Sequence, residues 1–324
     1  MKVIILIPCL NEAETLPLVL QTIPKRIPGV DVIETLVVDD GSTDDTIAVA
    51  KRHGVKHILR HAHNQGLASA FHDGVNRALE LGADIVVNTD GDNQYPQERI
   101  PDLVRPILER RADMVIADRQ VDEIAHFSAT KKLMQKLGTK VLNAAAGTDV
   151  PDAPSGFRAY SKEAIIRLNI VTRFSYAMET IIQAGNKRLA IVSVPVTTNP
   201  KTRESRLFKS SWEHVRKSGM AIIRAFIMYK PWVIFVSLGL ILLLAGAIPF
   251  LRYGYIMLFG ESHGIGRHLQ SLVGGGVLLI ASFISFTLGI IADLTRINRS
   301  LIEDSLEHAK RARFNSAEDI EHDA

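Results

Sequence analysis

The sequence predicts an α/β domain built on a mostly parallel sheet with flanking helices, followed by a two-helix transmembrane hairpin. Two observations predict this fold class. Residues 1 to about 200 alternate short β-branched runs with helical patterns, which is typical of parallel strands joined by crossover helices. The last third of the chain holds two stretches without charged residues, each long enough to cross a membrane.

Five short runs rich in β-branched residues predict the strands. They are Val3–Ile7, Ile33–Val38, His57–Leu59, Ile85–Val87 and Met114–Ala117. Helical patterns follow them at Glu12–Lys25, Asp44–His53, Leu67–Leu81, Gln97–Arg110 and Thr130–Asn143. The apolar stretch Val3–Leu10 is short and is followed by Asn11-Glu12, so we expect a strand there rather than a signal peptide.

The overall composition excludes several classes of protein. The 324 residues suffice for about two domains, and 23% charged and 47% hydrophobic residues exclude a disordered, collagen-like or disulfide-rich chain. The single cysteine, Cys9, excludes an internal disulfide and a cysteine-rich metal site. A mean hydropathy of +0.11 is high for so charged a chain, so apolar residues must be concentrated in one part of it.

The residues that follow the strands are the most informative, because ligands bind outside the carboxyl ends of parallel strands. Three of these segments are polar, acidic and rich in turn formers: Pro8–Glu12, Asp39–Ser42 and Asp90–Gln94. In the last of them, Asp90, Asp92 and Gln94 are spaced by two, and their hard oxygen atoms suit Mg²⁺ or Mn²⁺. The alternative is a plain Asp-Gly turn that ends a strand.

Six short motifs occur in order within residues 1–208. They are Ile7–Glu12, Val37–Asp44, Gly66–Ala70, Asp90–Gln94, Asp152–Phe157 and Arg203–Arg206. In this ordered set the chain resembles the family 2 glycosyltransferases, and among them the polyprenyl-phosphate (dolichyl-phosphate) hexose synthases. The resemblance implies a nucleotide-sugar-binding α/β fold of GT-A type. It also implies a divalent metal ion, Mg²⁺ or Mn²⁺, that the Asp-x-Asp-x-Gln run holds against the diphosphate.

The resemblance assigns individual residues to the nucleotide sugar and the metal. Those expected to contact the nucleotide sugar are Pro8, Leu10, Glu12, Asp39, Asp90 and Gly91. Those expected to serve the metal are Asp90, Asp92 and Gln94, with Asp92 also counted as catalytic. From the residues themselves, an acidic side chain such as Asp39 can hydrogen-bond a ribose, whereas Asp44 is better explained as a cap of the following helix.

An acceptor that carries a phosphate requires basic residues near the site. By resemblance, Arg119 and Lys131 match the family's contacts to the acceptor phosphate, although the family usually has Arg where Lys131 stands. Open candidates for the acceptor or the nucleotide sugar are Lys132, Lys201, Arg203 and Arg206. The alternative for each is a solvated surface charge. Asp152, with Ser155, is expected either to contact sugar or acceptor as a catalytic residue or to shape a turn.

The resemblance implies an inverting hexosyltransferase. A phosphate oxygen of polyprenyl or dolichyl phosphate would attack the anomeric carbon of a UDP- or GDP-linked hexose, and no strong general base is needed because the phosphate is already ionised. The alternatives are transfer of an aminosugar, a transferase that builds a polysaccharide or glycolipid on another acceptor, and a non-catalytic membrane-anchored nucleotide-sugar-binding subunit. The Gln-x-x-Arg-Trp motif of polysaccharide synthases is missing from the sequence. No nucleic-acid partner is expected.

Two apolar stretches, Pro231–Leu251 and Ser271–Ala292, qualify as membrane spans. Just before them, apolar residues recur at helical spacing and predict an amphipathic helix on the membrane surface. The predicted parts are the transferase domain at 1–208, this interfacial helix at 209–230, the two spans within 231–294 and a tail at 295–324. The three glycines Gly274–Gly276 allow close helix approach within one chain or between protomers of a homo-oligomer.

Basic residues flank the two spans. They are Lys209, Arg216, Lys217, Arg224 and Lys230 before the first span, and Arg296, Arg299, Lys310, Arg311 and Arg313 after the second. The connecting segment 252–270 carries only Arg252 and Arg267. The positive-inside rule therefore predicts a cell-membrane protein whose transferase domain and two termini are cytoplasmic. The acidic tail from Ala317 onward is expected to be frayed.

Two further features are expected to be structural. Five histidines lie between residues 53 and 72, at His53, His57, His61, His63 and His72. They lack a framework of cysteines or carboxylates, so we interpret them as solvated loop and helix residues rather than zinc ligands. Cys9 is expected to be a small buried hydrophobic residue.

Overall fold

The computed structural model describes residues 1–121, 129–170, 176–200, 231–259 and 269–322, with only the backbone at 129–131 and 315–322. The chain forms two compact units. The first comprises Met1–Ile222 and Glu303–Ala324, and the second comprises Ile223–Ile302. The predicted boundaries at residues 208 and 230 lie outside the described residues and stay predictions.

The described residues form seven strands and nine α-helices. The strands are β1 (Lys2–Cys9), β2 (Val32–Asp39), β3 (His57–Arg60), β4 (Ile85–Asn88), β5 (Met114–Asp118), β6 (Arg158–Ser161) and β7 (Ile191–Pro195). The helices of the first unit are α1 (Leu16–Thr22), α2 (Thr46–Arg52), α3 (Leu67–Glu80), α4 (Ile100–Leu108), α5 (Ala129–Ala146), α6 (Lys162–Arg167) and α7 (Tyr176–Asn186). Two long helices follow, α8 (Pro231–Phe259) and α9 (Leu269–His322).

One seven-stranded sheet organises the first unit, in the order β3-β2-β1-β4-β6-β5-β7. The pairs β1–β2, β1–β4, β2–β3 and β5–β7 are parallel, whereas β6 is antiparallel to both of its neighbours. The five predicted strands are confirmed. Strands β6 and β7 were not predicted. Strand β6 was missed because it has only four residues and carries a buried arginine, Arg158, so it lacks the apolar run of an internal strand.

The centre of the sheet forms the core. Every side chain from Val3 to Ile7 is fully buried, as expected for a central parallel strand that is covered on both faces. Helix α3 lies close to the sheet at Gly74, where a Cβ atom would stand 3.0 Å from Val38 Cγ2. Each fully buried aliphatic side chain contributes about 1.5–3 kcal/mol, so the strands are firmly held and their carboxyl ends have fixed positions.

Helix α1 is shorter than the predicted 12–25. It begins at Leu16 because residues 12–15 form a turn, in which the amides of Thr15 and Leu16 both donate to the carbonyl of Glu12 at 3.2 and 2.9 Å. It ends at Thr22 because Ile23 precedes a proline and is extended, with ψ 127°, since proline disfavours a helical conformation in the residue before it.

The end of α9 belongs to the first unit, and the predicted frayed tail from Ala317 was wrong because the helix continues to His322. Arg311 donates to Glu163 on α6 at 2.9 Å, and Lys310 donates to the carbonyl of Leu168 at 2.8 Å. Phe314 is buried. The basic residues that the sequence suggested as topology signals therefore also dock this helix.

The second unit contains α8 and the first part of α9, two helices that are long and apolar enough to cross a membrane. Ser282 on α9 donates to the carbonyl of Gly239 on α8 at 2.7 Å. Of the three consecutive glycines only Gly275 lies at the contact, where its Cβ would stand 2.9 Å from the carbonyl oxygen of Gly246. The predicted close approach is confirmed for Gly275 within one chain, as small residues allow.

Candidate active site

The loops after β1, β2 and β4 meet at one edge of the sheet. In the register of the sheet Cys9 is paired with Asp39, and Leu6 with Asn88. The amide of Asp40 donates to the carbonyl of Cys9 at 2.9 Å, and the amide of Thr89 donates to that of Leu6 at 3.0 Å. Three of the predicted segments are thus brought together at the carboxyl ends of parallel strands, where α/β sheets bind ligands.

Glu12 and Gly91 are joined through one hydroxyl. Thr15 Oγ1 lies 2.7 Å from Glu12 Oε2 and 2.7 Å from the carbonyl oxygen of Gly91. Gly91 packs so closely that a Cβ atom would stand 3.1 Å from Cys9 Sγ and 3.2 Å from Glu12 Cγ. The loop after β4 therefore rests on the loop after β1, and a side chain at position 91 would push the two apart.

Asp39 has the geometry of a ligand-binding carboxylate. It is fully buried, and its Oδ1 accepts a hydrogen bond from the amide of Ser42 at 3.3 Å. Its Oδ2 has no hydrogen-bond partner among the described residues. Arg60 Nε stands 3.5 Å from Oδ2, close enough for an ion pair. A buried carboxylate oxygen without a hydrogen bond is costly, so Asp39 suits a hydroxyl or N–H group of a ligand.

Asp40 is held by a histidine that the sequence analysis treated as a solvated residue. His61 is buried, with Nδ1 2.7 Å from Asp40 Oδ1 and Nε2 3.1 Å from Asp73 Oδ2. The amides of Gln65 and Gly66 each donate to Asp40 at 2.8 Å. The interpretation of His61 as solvated was wrong, because Asp40 and the 61–66 loop enclose it; only its place next to β3 could have indicated this.

The expectation that Asp44 caps the following helix was wrong in position, although Asp44 lies at the start of that helix. Its Oδ1 accepts from the amide of Thr46, the first residue of α2, at 3.0 Å, although Asp45 occupies the N-cap position. Its Oδ2 accepts from the amide of Ala13 at 3.1 Å. Asp44 therefore ties the start of α2 to the loop after β1.

The Asp90–Gln94 segment presents oxygen donors to this edge. The carboxylate of Asp92 accepts from the backbone amide of Gln94 at 3.1 Å and from Gln94 Nε2 at 2.8 Å. Gln94 therefore orients Asp92. No group of three His, Cys, Asp or Glu side chains close enough to share a metal occurs among the described residues. Asp90 and Asp92 fit a Mg²⁺ or Mn²⁺ ion that completes its shell with phosphate oxygens and water. Gln94 as a third metal ligand stays a prediction.

Asp90 is packed against the loop before β6. A Cβ atom on Gly156 would stand 3.2 Å from Asp90 Oδ2. The amide of Gly156 donates to the hydroxyl of Tyr95 at 3.0 Å, and the carbonyl of Gly156 accepts from Asn88 Nδ2 at 2.8 Å. Burial raises the pKa of Tyr95 to about 12, so this phenol keeps its proton at physiological pH. A side chain at position 156 would therefore crowd both Asp90 and the hydroxyl of Tyr176.

Arg119 and Asp152 form a bidentate ion pair, in which Asp152 is buried and Arg119 is half-buried. Arg119 Nε and Nη2 donate to the two carboxylate oxygens at 2.6 and 2.9 Å, and the Arg119 amide donates to Oδ2 at 3.1 Å. Burial opposes the charge of Arg119, but the hydrogen bonds to Asp152 outweigh it and raise the pKa of the guanidinium. The structure thus pairs two residues that were predicted separately. Any ligand of Arg119 would bind a guanidinium that is already hydrogen-bonded to Asp152.

A second buried arginine, which the sequence analysis missed, shapes the same loop. Arg158 is fully buried and donates to the carbonyls of Ala153 and Ser155, both at 2.7 Å. It also donates to the carbonyl of Ala177 and to Thr180 on α7, both at 2.8 Å. Arg158 therefore ties the loop that carries Asp152 and Gly156 to α7. A buried guanidinium needs several acceptors, and here four oxygens supply them.

The remaining predicted residues divide into two groups. Pro8 is buried and Leu10 half-buried on the loop after β1, beside the acidic residues. Lys131 lies on α5 with only its backbone described, and Lys201, Arg203 and Arg206 lie outside the described residues. The backbone amide of Asn199, two residues before Lys201, donates to the carbonyl of Gln94 at 2.9 Å. The chain therefore passes the Asp90–Gln94 segment just before the last motif.

Comparison with known proteins decides the family. The model of "Glycosyl transferase family 2" matches residues 4–168, more than half of the chain. The chain belongs to the family 2 glycosyltransferases. The sequence-based assignment to this family and the α/β fold class with two apolar C-terminal helices are thereby confirmed.

Relatives of this family 2 glycosyltransferase include lipid-phosphate enzymes by name. The chain is 31% identical over 207 residues to an undecaprenyl-phosphate mannosyltransferase of Micrococcus luteus, a match that covers 61% of this chain and 83% of that protein. It is 25% identical to a polyprenol monophosphomannose synthase of Mycolicibacterium smegmatis, covering 67% of this chain and 84% of that protein.

Solved structures share the fold. A glucosyl-3-phosphoglycerate synthase from Mycobacterium tuberculosis, solved in complex with Mn²⁺, UDP and phosphoglyceric acid, superposes with a TM-score of 0.54 at 23% identity. The match covers 70% of this chain and 77% of that one. At this identity the likeness establishes the fold alone, and it agrees with the mostly parallel sheet and flanking helices of the first unit.

Proposed function

We propose that this family 2 glycosyltransferase moves a hexose from a nucleoside-diphosphate sugar to the phosphate of a polyprenyl lipid. The observation that carries the proposal is the composition of the site. Acidic loops after β1, β2 and β4 form one side of it, and the Arg119–Asp152 pair lies after β5 and before β6 in the same sheet. The names of the two relatives support the acceptor.

The acidic side is proposed to hold the nucleotide sugar. Asp39, with its buried carboxylate oxygen, would accept hydrogen bonds from the base or the ribose, and Glu12 would be oriented for the same task by Thr15. Asp90 and Asp92 would hold Mg²⁺ or Mn²⁺. When bound there, the ion supplies electrostatic stabilisation of the leaving nucleoside diphosphate.

The reaction needs few groups from the protein. One oxygen of the lipid phosphate forms the new bond to the anomeric carbon, and the bond from that carbon to the nucleoside diphosphate breaks. The phosphomonoester is already ionised near neutral pH, so the chain need not supply a strong general base. Arg119 is proposed to attract the lipid phosphate, with Lys131 and the basic residues of the last motif as additional contacts. Attack from the opposite face would invert the anomeric centre.

The second unit is proposed to anchor the enzyme in the cell membrane. Within the described parts of α8 and α9, the most apolar windows are only 11% and 17% buried, which favours lipid over a protein core around them. The distribution of basic residues supports cytoplasmic termini and a cytoplasmic transferase domain. In this arrangement the lipid acceptor and the transferase domain are both at the cytoplasmic face of the membrane.

One assay tests the proposed function. The purified full-length chain is incubated with Mg²⁺ or Mn²⁺, polyprenyl phosphate and a panel of radiolabelled UDP- and GDP-sugars. Label that moves into the lipid phase with one of these donors is the expected result. Donor binding without turnover across the whole panel would contradict the proposal and favour a non-catalytic nucleotide-sugar-binding subunit.

A further inference from the structure

The end of helix α9 packs within the first unit. Helix α9 is one continuous helix from Leu269 to His322, and the part from Glu303 onward belongs to the first unit. Phe314, near its end, is only 6% exposed. We call residues 303–314 the docked segment. None of the six sequence motifs lies in it, so the contacts that it makes require an explanation.

Charged side chains form a network between the docked segment and its neighbours. Glu307 Oε2 lies 3.3 Å from Lys187 Nζ, just after α7, and Glu307 Oε1 lies 3.8 Å from Arg167 Nε on α6. Arg311 donates to Glu307 at 2.9 Å and to Glu163 on α6 at 2.9 Å. Burial opposes the charge of Glu307, but the hydrogen bonds from Arg311 and Lys187 outweigh it and lower the pKa of this carboxyl. Such a network holds an element better than isolated surface pairs do.

Two further hydrogen bonds join the docked segment to the residues that follow α6. Lys310 Nζ donates to the carbonyl of Leu168 at 2.8 Å, and Asn169 Nδ2 donates to the carbonyl of Glu303 at 3.4 Å. Asn169 is buried and lies between α6 and α7. The docked segment therefore contacts a residue in the interior of the first unit as well as charges on its surface.

Asn169 connects the docked segment to α7 and to the loop of Asp152. The amide of Asn169 donates to Gln183 Oε1 on α7 at 2.8 Å, and Gln183 Nε2 donates to the carbonyl of Asn169. Thr180 Oγ1, one turn earlier on α7, accepts from Arg158 at 2.8 Å. Arg158 in turn donates to two carbonyls of the loop that carries Asp152. Hydrogen bonds are thus continuous from the docked segment to this loop.

We infer that the docked segment positions Asp152 for its pairing with Arg119, so that the acceptor side is complete only when the end of α9 is docked. Helix α7 has 11 residues, and helices of this length depend on packing rather than on their own hydrogen bonds. Contacts that hold α7 therefore also hold Arg158 and the loop before β6. Continuous networks of packed and hydrogen-bonded side chains carry such coupling. The inference rests on the proposed function for the identity of the acceptor.

The first test breaks the docking contact and follows the loop of Asp152. Glu307→Arg adds a cation to the three that surround this position. In the full-length chain, hydrogen exchange should become faster in residues 303–314, in α7 and in the loop 152–158, and stay unchanged in the loops after β1 and β2. Glu80→Arg is the matched control, because it breaks the exposed ion pair of Glu80 with Arg313 and leaves the contacts to α6 and α7 intact. It should leave exchange in the loop 152–158 unchanged.

Three results would overturn the inference. Exchange that rises in residues 303–314 but not in the loop 152–158 would show that undocking does not reach Asp152. Exchange that rises equally throughout the first unit would show a general loss of stability instead of positioning. A second variant, a chain that ends at Ile302, lacks the docked segment altogether. If the loop 152–158 is as well protected in that chain as in the full-length chain, the segment does not hold it.

The second test measures the two substrates separately. Glu307→Arg should raise KM for the polyprenyl phosphate by about 2- to 30-fold, the range for substitutions along coupled networks, and leave KM for the nucleotide sugar unchanged. Adding Lys187→Glu forms the ion pair again with reversed charges and should restore part of the acceptor KM. An equal rise of both KM values, or no recovery, would contradict positioning. Absence of transfer by the unmodified enzyme would instead refute the proposed function and leave the exchange result valid.

Discussion

The two sides of the site hold their charges in different ways. On the proposed nucleotide side, Asp39 accepts a hydrogen bond from a backbone amide and stands 3.5 Å from Arg60 Nε, while Glu12 accepts a hydrogen bond from a hydroxyl. On the acceptor side, the charge of Arg119 is matched by Asp152. Because Arg60 is solvent-exposed and compensates Asp39 only weakly, the first arrangement keeps more of its negative charge for a ligand, whereas the second is close to neutral until a phosphate arrives. A lipid phosphate would therefore share Arg119 with Asp152.

The largest expected effect comes from the carboxylate that Gln94 orients. Asp92→Asn keeps the shape of the side chain and removes its charge, so we expect kcat to fall by about 10²–10³-fold, the size of losing one electrostatic stabiliser of a transition state. Initial rates of lipid glycosylation at saturating metal check this. Glu109→Gln, an exposed carboxylate in a surface ion pair, is the control. Full activity of Asp92→Asn would contradict the proposal that Asp92 holds the metal ion.

The acceptor side is tested by breaking its ion pair. Asp152→Asn leaves the half-buried Arg119 guanidinium without a counter-charge, so we expect a loss of stability below the about 3–5 kcal/mol of a fully buried pair. We expect a clearly lower Tm in detergent. Arg119→Lys keeps the charge but loses the bidentate geometry, so it should raise KM for the lipid phosphate with little change in KM for the nucleotide sugar. A rise confined to the donor KM would place Arg119 on the nucleotide side.

The nucleotide side depends on a smaller interaction at His61. His61→Leu removes the shared partner of Asp40 and Asp73, while Asp40 keeps the amides of Gln65 and Gly66; losing a hydrogen bond to a charged group costs about 1.5–3 kcal/mol. The 61–66 loop should loosen, so KM for the nucleotide sugar should rise more than kcat falls. His53→Leu is the matched control, because the ring of His53 is linked to the carbonyl of Val49 on its own helix. Equal effects of the two substitutions would show that His61 has no special role.

The smallest effect concerns Cys9, which lies beneath the same loops. Burial raises the pKa of the Cys9 thiol well above its usual range, so the reactive thiolate is scarce in the folded protein. We expect no measurable maleimide labelling of the folded chain up to about pH 9, where an ordinary exposed thiol with a pKa near 8.5 reacts readily. Labelling after denaturation is the control. Rapid labelling of the native protein would mean that the nucleotide side opens.

The positions of the acidic loops could be predicted from the sequence better than the pairing of Arg119 with Asp152, and the reason is physical. Strands β1, β2 and β4 are apolar runs followed at once by their functional residues, so local pattern places Asp39 and Asp90 at one sheet edge. The pairing of Arg119 with Asp152 joins residues 33 positions apart. That pairing depends on β6 lying antiparallel to β5, and β6 lacks a strand pattern because Arg158 occupies it.

The most direct test of the account compares two acceptors that differ by one group. The full-length enzyme in anionic nanodiscs is given its preferred labelled nucleotide sugar with either a polyprenyl phosphate or the polyprenol of the same length. We predict label on the phosphorylated lipid alone, because Arg119 is proposed to attract a phosphate and no strong general base is needed for the attack of that phosphate. Label on the free alcohol, or equal transfer to both lipids, would contradict it.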